Sequence, residues 1–138
     1  MKEEPDHYGY GQLERDRTTV WAGVRNPLAQ KHLRGIRKGD RLFYYHTGRE
    51  KAVVAVARAV SDAYPDPSDP SGRLYAVDIA PEKTLPAPVT LAAIKADRAF
   101  ASCPLVRMSR LSVMPVTDGE WRRILEMSRS GRSGRSRA

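Results

Sequence analysis

Two neighbouring runs constrain the fold of this chain more than anything else in it. "RLFYYH", from Arg41 to His46, and "KAVVAVARAV", from Lys51 to Val60, are rich in aromatic and β-branched residues, with a short polar loop around Gly48 between them. Runs of that make and spacing read as the two strands of an antiparallel hairpin. "RKGD" before them is a turn, its glycine supplying backbone angles that other residues resist. "SDAYPDPSDPSG", with three prolines and three aspartates, is a loop. "RLYAVDIA" after it is a further strand, and "LPAPV" is extended because each proline fixes its own φ and biases its neighbour away from helix. "RLSVMPV" reads as another strand, with Leu111 and Val113 alternating against Ser112 and Met114.

Helices fall between these strands. Pro27 suits a first helical turn, and Leu28, Ala29, Leu33 and Ile36 lie close to one face of a helix over 27–36. Thr90 can cap "LAAIKAD", and Thr117 with Glu120 has capping-box spacing before "EWRRILEM". "GQLERD" can form one helical turn, within a start that is irregular to about Gly11. "TTVWAGVRNPLA", from Thr18 to Ala29, shows neither a helical nor a strand period. Strands without an alternating βα rhythm predict an α+β fold, with a mostly antiparallel sheet or small barrel. Neither G-x-G-x-x-G nor G-x-x-x-x-G-K-[ST] occurs, which argues against a dinucleotide-binding fold and a P-loop.

With 138 residues the chain fits one domain. No apolar run approaches the ~18 residues of a membrane-spanning helix, and the polar, acidic start lacks the apolar middle of a secretory signal. A cytoplasmic protein with no membrane partner is expected. Cys103 is the only cysteine, so no intramolecular disulfide and no cysteine-built metal site can form, and its expected role is packing. His7, His32 and His46 are far apart, none with a second ligand at metal spacing, and no cofactor or metal is implied. No nucleophile elbow is present, and Thr47 would face away from His46 on a strand. The net charge is +8, of which Arg129, Arg132, Arg135 and Arg137 supply four in the last ten residues; the remainder carries +4. That balance favours a polyanion, nucleic acid first, with simple solubility as the alternative. Residues 128–138, "SRSGRSGRSRA", are expected to be a disordered tail, too polar to bury anything.

Trp21, Tyr44, Tyr45, Tyr64 and Tyr75 fall at strand ends or loops, near Arg25, Asn26, His46 and Arg110. Aromatic faces stack splayed-out bases, Asn and Arg read polar edges, and basic residues hold phosphate. The alternative is that these aromatics fill a core. One of Tyr44 and Tyr45 should face inward and the other outward, and we place Tyr45 and His46 nearer a pocket mouth.

"EPDHY", "VWAGVRN", "RKGDRLFYYHTG", "AYPDP", "PVTLAAIKAD", "LVRMSRLSVMPVT" and "EW" follow one another in the order and spacing of the EVE domain. The chain resembles that family, part of the PUA-like superfamily and related to the YTH readers of methylated adenine, over about residues 2–127. The resemblance implies one domain over 1–127, a curved PUA-like sheet or small barrel with short flanking helices. It implies a monomeric, non-enzymatic module that recognises a modified base in DNA or RNA. Trp21 would form a pocket wall by stacking, and Gly23 would let the backbone approach closely. Arg25 would contact phosphate or pair with an acid, and Asn26 would read a base edge or cap the following helix. Tyr45, His46, Tyr75, Arg110 and Ser112 complete the expected site.

The family pattern departs at three places. Its usual opening, Tyr-Trp-Leu-x-Lys before Ser-Glu-Pro-Asp, meets only Met1-Lys2, so either the start is misassigned or a sheet edge is open. The pattern's Ser falls on Glu3, which would repel phosphate or accept hydrogen bonds from an amino-bearing base. A Trp of the third strand falls on Leu74. Glu3 and Leu74 are the best support for a second reading, a protein-interaction module with a vestigial pocket. A third reading is a PUA-like enzyme of amidohydrolase type. Its Gly-x-Lys-x-x-Glu-x-Arg pattern is not matched by "GIRKGDR", which has Arg37 and Asp40 at the Lys and Glu places. Lys, Glu and Thr converging in the pocket would mark it.

Overall fold

A computed structural model describes residues 1–3, 8–108 and 111–137, with side chains as far as Ser130. Its strands are β1 (Lys2–Glu3), β2 (Thr19–Trp21), β3 (Arg41–His46), β4 (Ala52–Ala59), β5 (Tyr64–Pro65) and β6 (Tyr75–Thr90). Among the described residues they form one sheet path, β1-β3-β4-β6-β2, with β5 beside β6. The hairpin is there as expected: β3 and β4 pair antiparallel from Arg41 opposite Arg58 to His46 opposite Ala52. The β2–β6, β4–β6 and β5–β6 pairings are antiparallel too, and β1 runs parallel to β3. The fold is thus α+β with a mostly antiparallel, curled sheet. Register shifts between Tyr44 and Tyr45, between Val53 and Ala55, and between Val56 and Ala57 sharpen the twist that curls it.

The strand expected at "RLYAVDIA" and the extended "LPAPV" are one 16-residue strand. Its prolines sit where a ladder tolerates them: Pro81 is opposite Ala57 at a register shift. Between Pro86 and Pro88, the Ala87 N–H donates to Ser128 Oγ at 3.1 Å, and that hydroxyl donates back to the Ala87 carbonyl at 2.7 Å. Ser128 is fully buried, and its helix continues from Asp118 to Arg137. Ser128, one residue past the Met127 boundary expected from composition, is thus held against β6 by its hydroxyl.

The helices are α1 (Tyr10–Asp16), α2 (Pro27–Arg34), α3 (Leu91–Ala96), a 3-10 turn over Arg98–Phe100, α4 (Pro104–Arg107) and α5 (Asp118–Arg137). Their caps are the ones the sequence carries. Thr90 Oγ1 accepts from Ala93 N at 3.1 Å. Thr117 and Glu120 exchange backbone N–H donors at 2.9 and 3.1 Å, the reciprocal capping box. Strand alternation divides the core between two faces. Tyr44, Ala55, Ala57, Val77 and Ile79 pack with Trp21 and α2, whereas Phe43, Tyr45, Val56 and Val89 pack with Phe100, Cys103 and Ile124. Phe43 stacks on Trp121 with centroids 3.8 Å apart, fixing α5 to the second face. Cys103 is buried there, as its expected packing role requires, and burial pushes its thiol pKa up.

"RLSVMPV" differs from expectation. From Leu111 onward it belongs to no strand, although Leu111 and Val113 are buried as the alternation predicts. β1 already occupies the edge of β3, and Pro115 has no N–H to give a ladder. The segment supplies apolar side chains and, toward β1, the Ser112 carbonyl, which accepts from Lys2 N–H at 2.9 Å. "TTVWAGVRNPLA" differs in the other direction. Thr19–Trp21 is a strand, too short for a period to show.

Candidate functional site

β2 ends at Trp21, and the chain from Trp21 to Arg25 forms one wall of a cavity of about 490 Å³. Lys2, Glu3, Tyr8, Thr19, Val20 and Ser112 complete the lining. That volume lies in the range of small-molecule sites, roughly 300–1,000 Å³. Trp21 is only 7% exposed, so it is core and pocket wall at once. Its ring meets Tyr44 edge-on at 5.6 Å, and Tyr44 meets Tyr10 at 5.7 Å. The Tyr44 hydroxyl donates to the Tyr8 carbonyl at 2.7 Å and that of Tyr10 to the Val56 carbonyl at 3.1 Å. The wall is thereby held rigid from behind. Burial, then the Glu3 carboxylate, pushes the Tyr44 phenol pKa far up.

Gly23 lines the pocket at φ +77°, which side chains resist, while a Cβ there would meet nothing within 4 Å. Glycine is required by the backbone angle and not by a crowding neighbour within the protein. Arg25 is exposed at the rim. Asn26 caps α2: its Oδ1 accepts from Leu28 N at 2.9 Å and Ala29 N at 3.1 Å. Of the two roles open to it, the cap is the one its oxygen performs. Gln30, buried on the same helix, was not anticipated. Its amide donates to the Val24 carbonyl at 2.6 Å and accepts from Tyr75 N at 2.9 Å, tying the pocket wall to α2 and β6. A lone amide beside Ala29 and Leu33 on an apolar helix face was the signal for it.

Asn26 is itself outside the lining, and three more expected site residues lie elsewhere. Tyr45 faces the second core and lines a separate cavity of about 470 Å³ with Phe43, Cys103 and Trp121. The expectation that Tyr45 stands at this pocket's mouth is corrected: Tyr44 points to Trp21, and strand alternation sends Tyr45 the other way. His46 lies on the Tyr44 side, its ring 5.7 Å from Tyr44. Its Nε2 accepts from Tyr10 N at 3.0 Å and its Nδ1 meets Glu50 at 2.6 Å, so it anchors the start of α1 and is outside the lining. The accepting Nε2 puts the proton of the neutral ring on Nδ1, toward Glu50. Tyr75 is half-buried beneath the Arg34 guanidinium at 5.6 Å, also outside the lining. Leu74 is held by the Asp69 loop, its N–H on Oδ2 at 2.8 Å, so the departure there does not touch the pocket. Ser112 does line it. Arg110 and His7 lie outside the described residues.

A Lys, a Glu and a Thr do border the cavity: Lys2, Glu3 and Thr19. They do not converge. The Lys2 ammonium lies over the Tyr45 ring at 5.8 Å, on the opposite face of the sheet. Burial lowers its pKa. The Tyr8 hydroxyl donates to Asp16 Oδ2 at 2.8 Å, and burial raises its pKa. Thr19 was missed although it stands two residues before Trp21, where a strand repeats its face.

The model of the EVE domain matches residues 1–127. Thymocyte nuclear protein 1 of Rattus norvegicus is 30% identical over 139 residues, covering 84% of this chain and 62% of its own length. The chain thus spans less than two thirds of that relative. Among solved structures, Rpa0253 from Rhodopseudomonas palustris is 42% identical with a TM-score of 0.89, over 94% of this chain and 91% of that one. Human THYN1 in complex with 5-methylcytosine containing DNA is 26% identical with a TM-score of 0.83, over 93% of this chain and 95% of that one.

Proposed function

The chain belongs to the EVE domain family, and from that premise we propose that it is a non-enzymatic module that binds a modified base in DNA, with Trp21 as the stacking wall of the pocket. The observation that carries the reading is Trp21 itself, braced from behind by Tyr44 while its chain segment lines a base-sized cavity. The likeness to human THYN1, solved with 5-methylcytosine containing DNA, supports DNA as the polymer. Arg25 at the rim, in a chain of net charge +8, supplies attraction to phosphate.

Magnitudes shape the reading. Stacking a base on an aromatic ring contributes about 1–3 kcal/mol, and extracting a base from a duplex costs a few kcal/mol. Stacking alone barely offsets extraction, so single strands and already unpaired bases are the preferred ligands. The enzymatic alternative would need Lys2, Glu3 and Thr19 to act together on one atom. With the Lys2 ammonium over Tyr45, on the opposite face of the sheet, binding is the better account.

The test is a fluorescence-anisotropy titration of labelled single strands. One strand is unmodified, and the others carry one 5-methylcytosine, 5-hydroxymethylcytosine or N6-methyladenine. Trp21→Phe keeps a buried ring against Tyr44 but offers less stacking surface, and Trp21→Ala removes it. Tighter binding of one modified strand, weakened stepwise by the two variants, supports the reading. Equal binding of all strands that survives both variants overturns it.

A further inference from the structure

One lining residue stands out chemically in this basic chain: the pocket of Trp21 carries a carboxylate, Glu3. Its placement is set by the β1–β3 ladder. Lys2 is in register with Tyr45, and Glu3 with His46. Lys2 places its ammonium over Tyr45, on the second face. Alternation then sends Glu3 to the face shared by His46, Tyr44 and Trp21. Backbone bonds hold that orientation on both sides: the Glu3 carbonyl accepts from Thr47 N at 2.8 Å, and Lys2 N donates to Ser112 at 2.9 Å.

A carboxylate accepts hydrogen bonds and donates none. Facing phosphate it repels. Placed against the exocyclic group of a stacked base, at C4 of a pyrimidine or C6 of a purine, and away from the ring N–H that keto bases carry beside it, it distinguishes two chemistries. Cytosine and adenine present an exocyclic amine, a donor that it can accept from; thymine presents O4, an acceptor that it opposes. We infer that Glu3 is the specificity-determining residue of the pocket, accepting a hydrogen bond from the exocyclic amine of the bound base and excluding its keto counterpart. The inference rests on the reading of this pocket as a base site. The amine can come from a cytosine-type or an adenine-type ring, and the exclusion of keto bases works by opposed acceptors.

Thymine is the keto counterpart of 5-methylcytosine, with the same ring and methyl group, and hypoxanthine is that of adenine. These two pairs isolate the amine. Labelled single strands with one variable base are titrated against the full chain, Glu3→Gln and Trp21→Phe, with thermal melts checking that each variant folds. The expected result is that 5-methylcytosine binds about 10-fold or more tighter than thymine. In Glu3→Gln, whose amide both accepts and donates, the preference should fall to about 3-fold or less. An adenine preference over hypoxanthine larger than the pyrimidine one would assign the amine to a purine instead. If the full chain does not discriminate within either pair while Trp21→Phe still weakens binding, Glu3 is not the reader and the base pocket stands. Discrimination that persists in Glu3→Gln overturns the inference in the same way. If neither base identity nor Trp21→Phe matters, the base-pocket reading fails and takes the inference with it.

Discussion

Single residues at the pocket divide into those that the backbone demands and those that the ligand demands. Gly23 belongs to the first kind. Gly23→Ala should lower stability by about 1–2 kcal/mol, the cost of a Cβ in the left-handed region, and because that Cβ meets only open space, the fold should persist in a denaturant melt. Asn26 is of the same kind. Asn26→Ala should cost about 1 kcal/mol, and Asn26→Ser should cost little, since serine also caps. Strand affinity should follow neither change beyond that stability loss. A large affinity drop in a stable Asn26→Ser would mean that the side chain reads a base after all. Asn26 was legible in the sequence as one of two roles, and only its hydrogen bonds separated them. For Tyr44 and Tyr45 the opposed faces were legible in the sequence, but neither faces outward as expected: both are buried, in different cores, and the one placed at the mouth was the wrong one. That depends on which side of the sheet α2 packs against, a fact outside the strand.

Between elements, two contacts set how α5 closes the molecule. Ser128 satisfies both backbone groups of Ala87. Ser128→Ala leaves them buried and unpaired, and the chain should lose about 1–3 kcal/mol in a urea melt. Arg123 Nε donates to Asp97 Oδ2 at 2.8 Å and joins α5 to the 3-10 turn. The Ala99 N–H and then Arg123 hold the Asp97 carboxyl below its ordinary range. A carboxyl lowered in the folded state stabilises while ionised. Its contribution is present above the unfolded value, about 3.9, and is lost as pH falls through the lower folded one. The melting temperature should therefore drop on acidification in that window, and Asp97→Asn should lower it at neutral pH while flattening the acid slope. The caps of α2, α3 and α5 were legible because a cap is a local device of three or four residues. Ser128 was not, because its partner is 41 residues away and the Ser/Gly/Arg run that it opens has nothing apolar to mark a packed face.

For the whole molecule, charge should govern weak association and the pocket should govern selectivity. Residues 131–138 carry Arg132, Arg135 and Arg137. Removing them, with Ser128 retained, should reduce the slope of log affinity against log salt for single strands by up to about 2, leaving the ratio between modified and unmodified strands unchanged. An unchanged slope would show that these arginines make no phosphate contact. The sequence by itself determined the class of fold, the hairpin, the helices α1, α2, α3 and α5 with the caps of the last three, and the family, since each is written in short-range patterns of side-chain size, polarity and turn chemistry. It also picked out Trp21, Gly23, Arg25 and Ser112, which do line one cavity. Only the tertiary structure decided that Tyr45 and His46 turn to other work, that Glu3 and Thr19 join Trp21, and that "RLSVMPV" packs without pairing. Those outcomes depend on which strand occupies the edge of β3 and which face α2 covers. Contacts between distant segments decide both, and no local pattern encodes them.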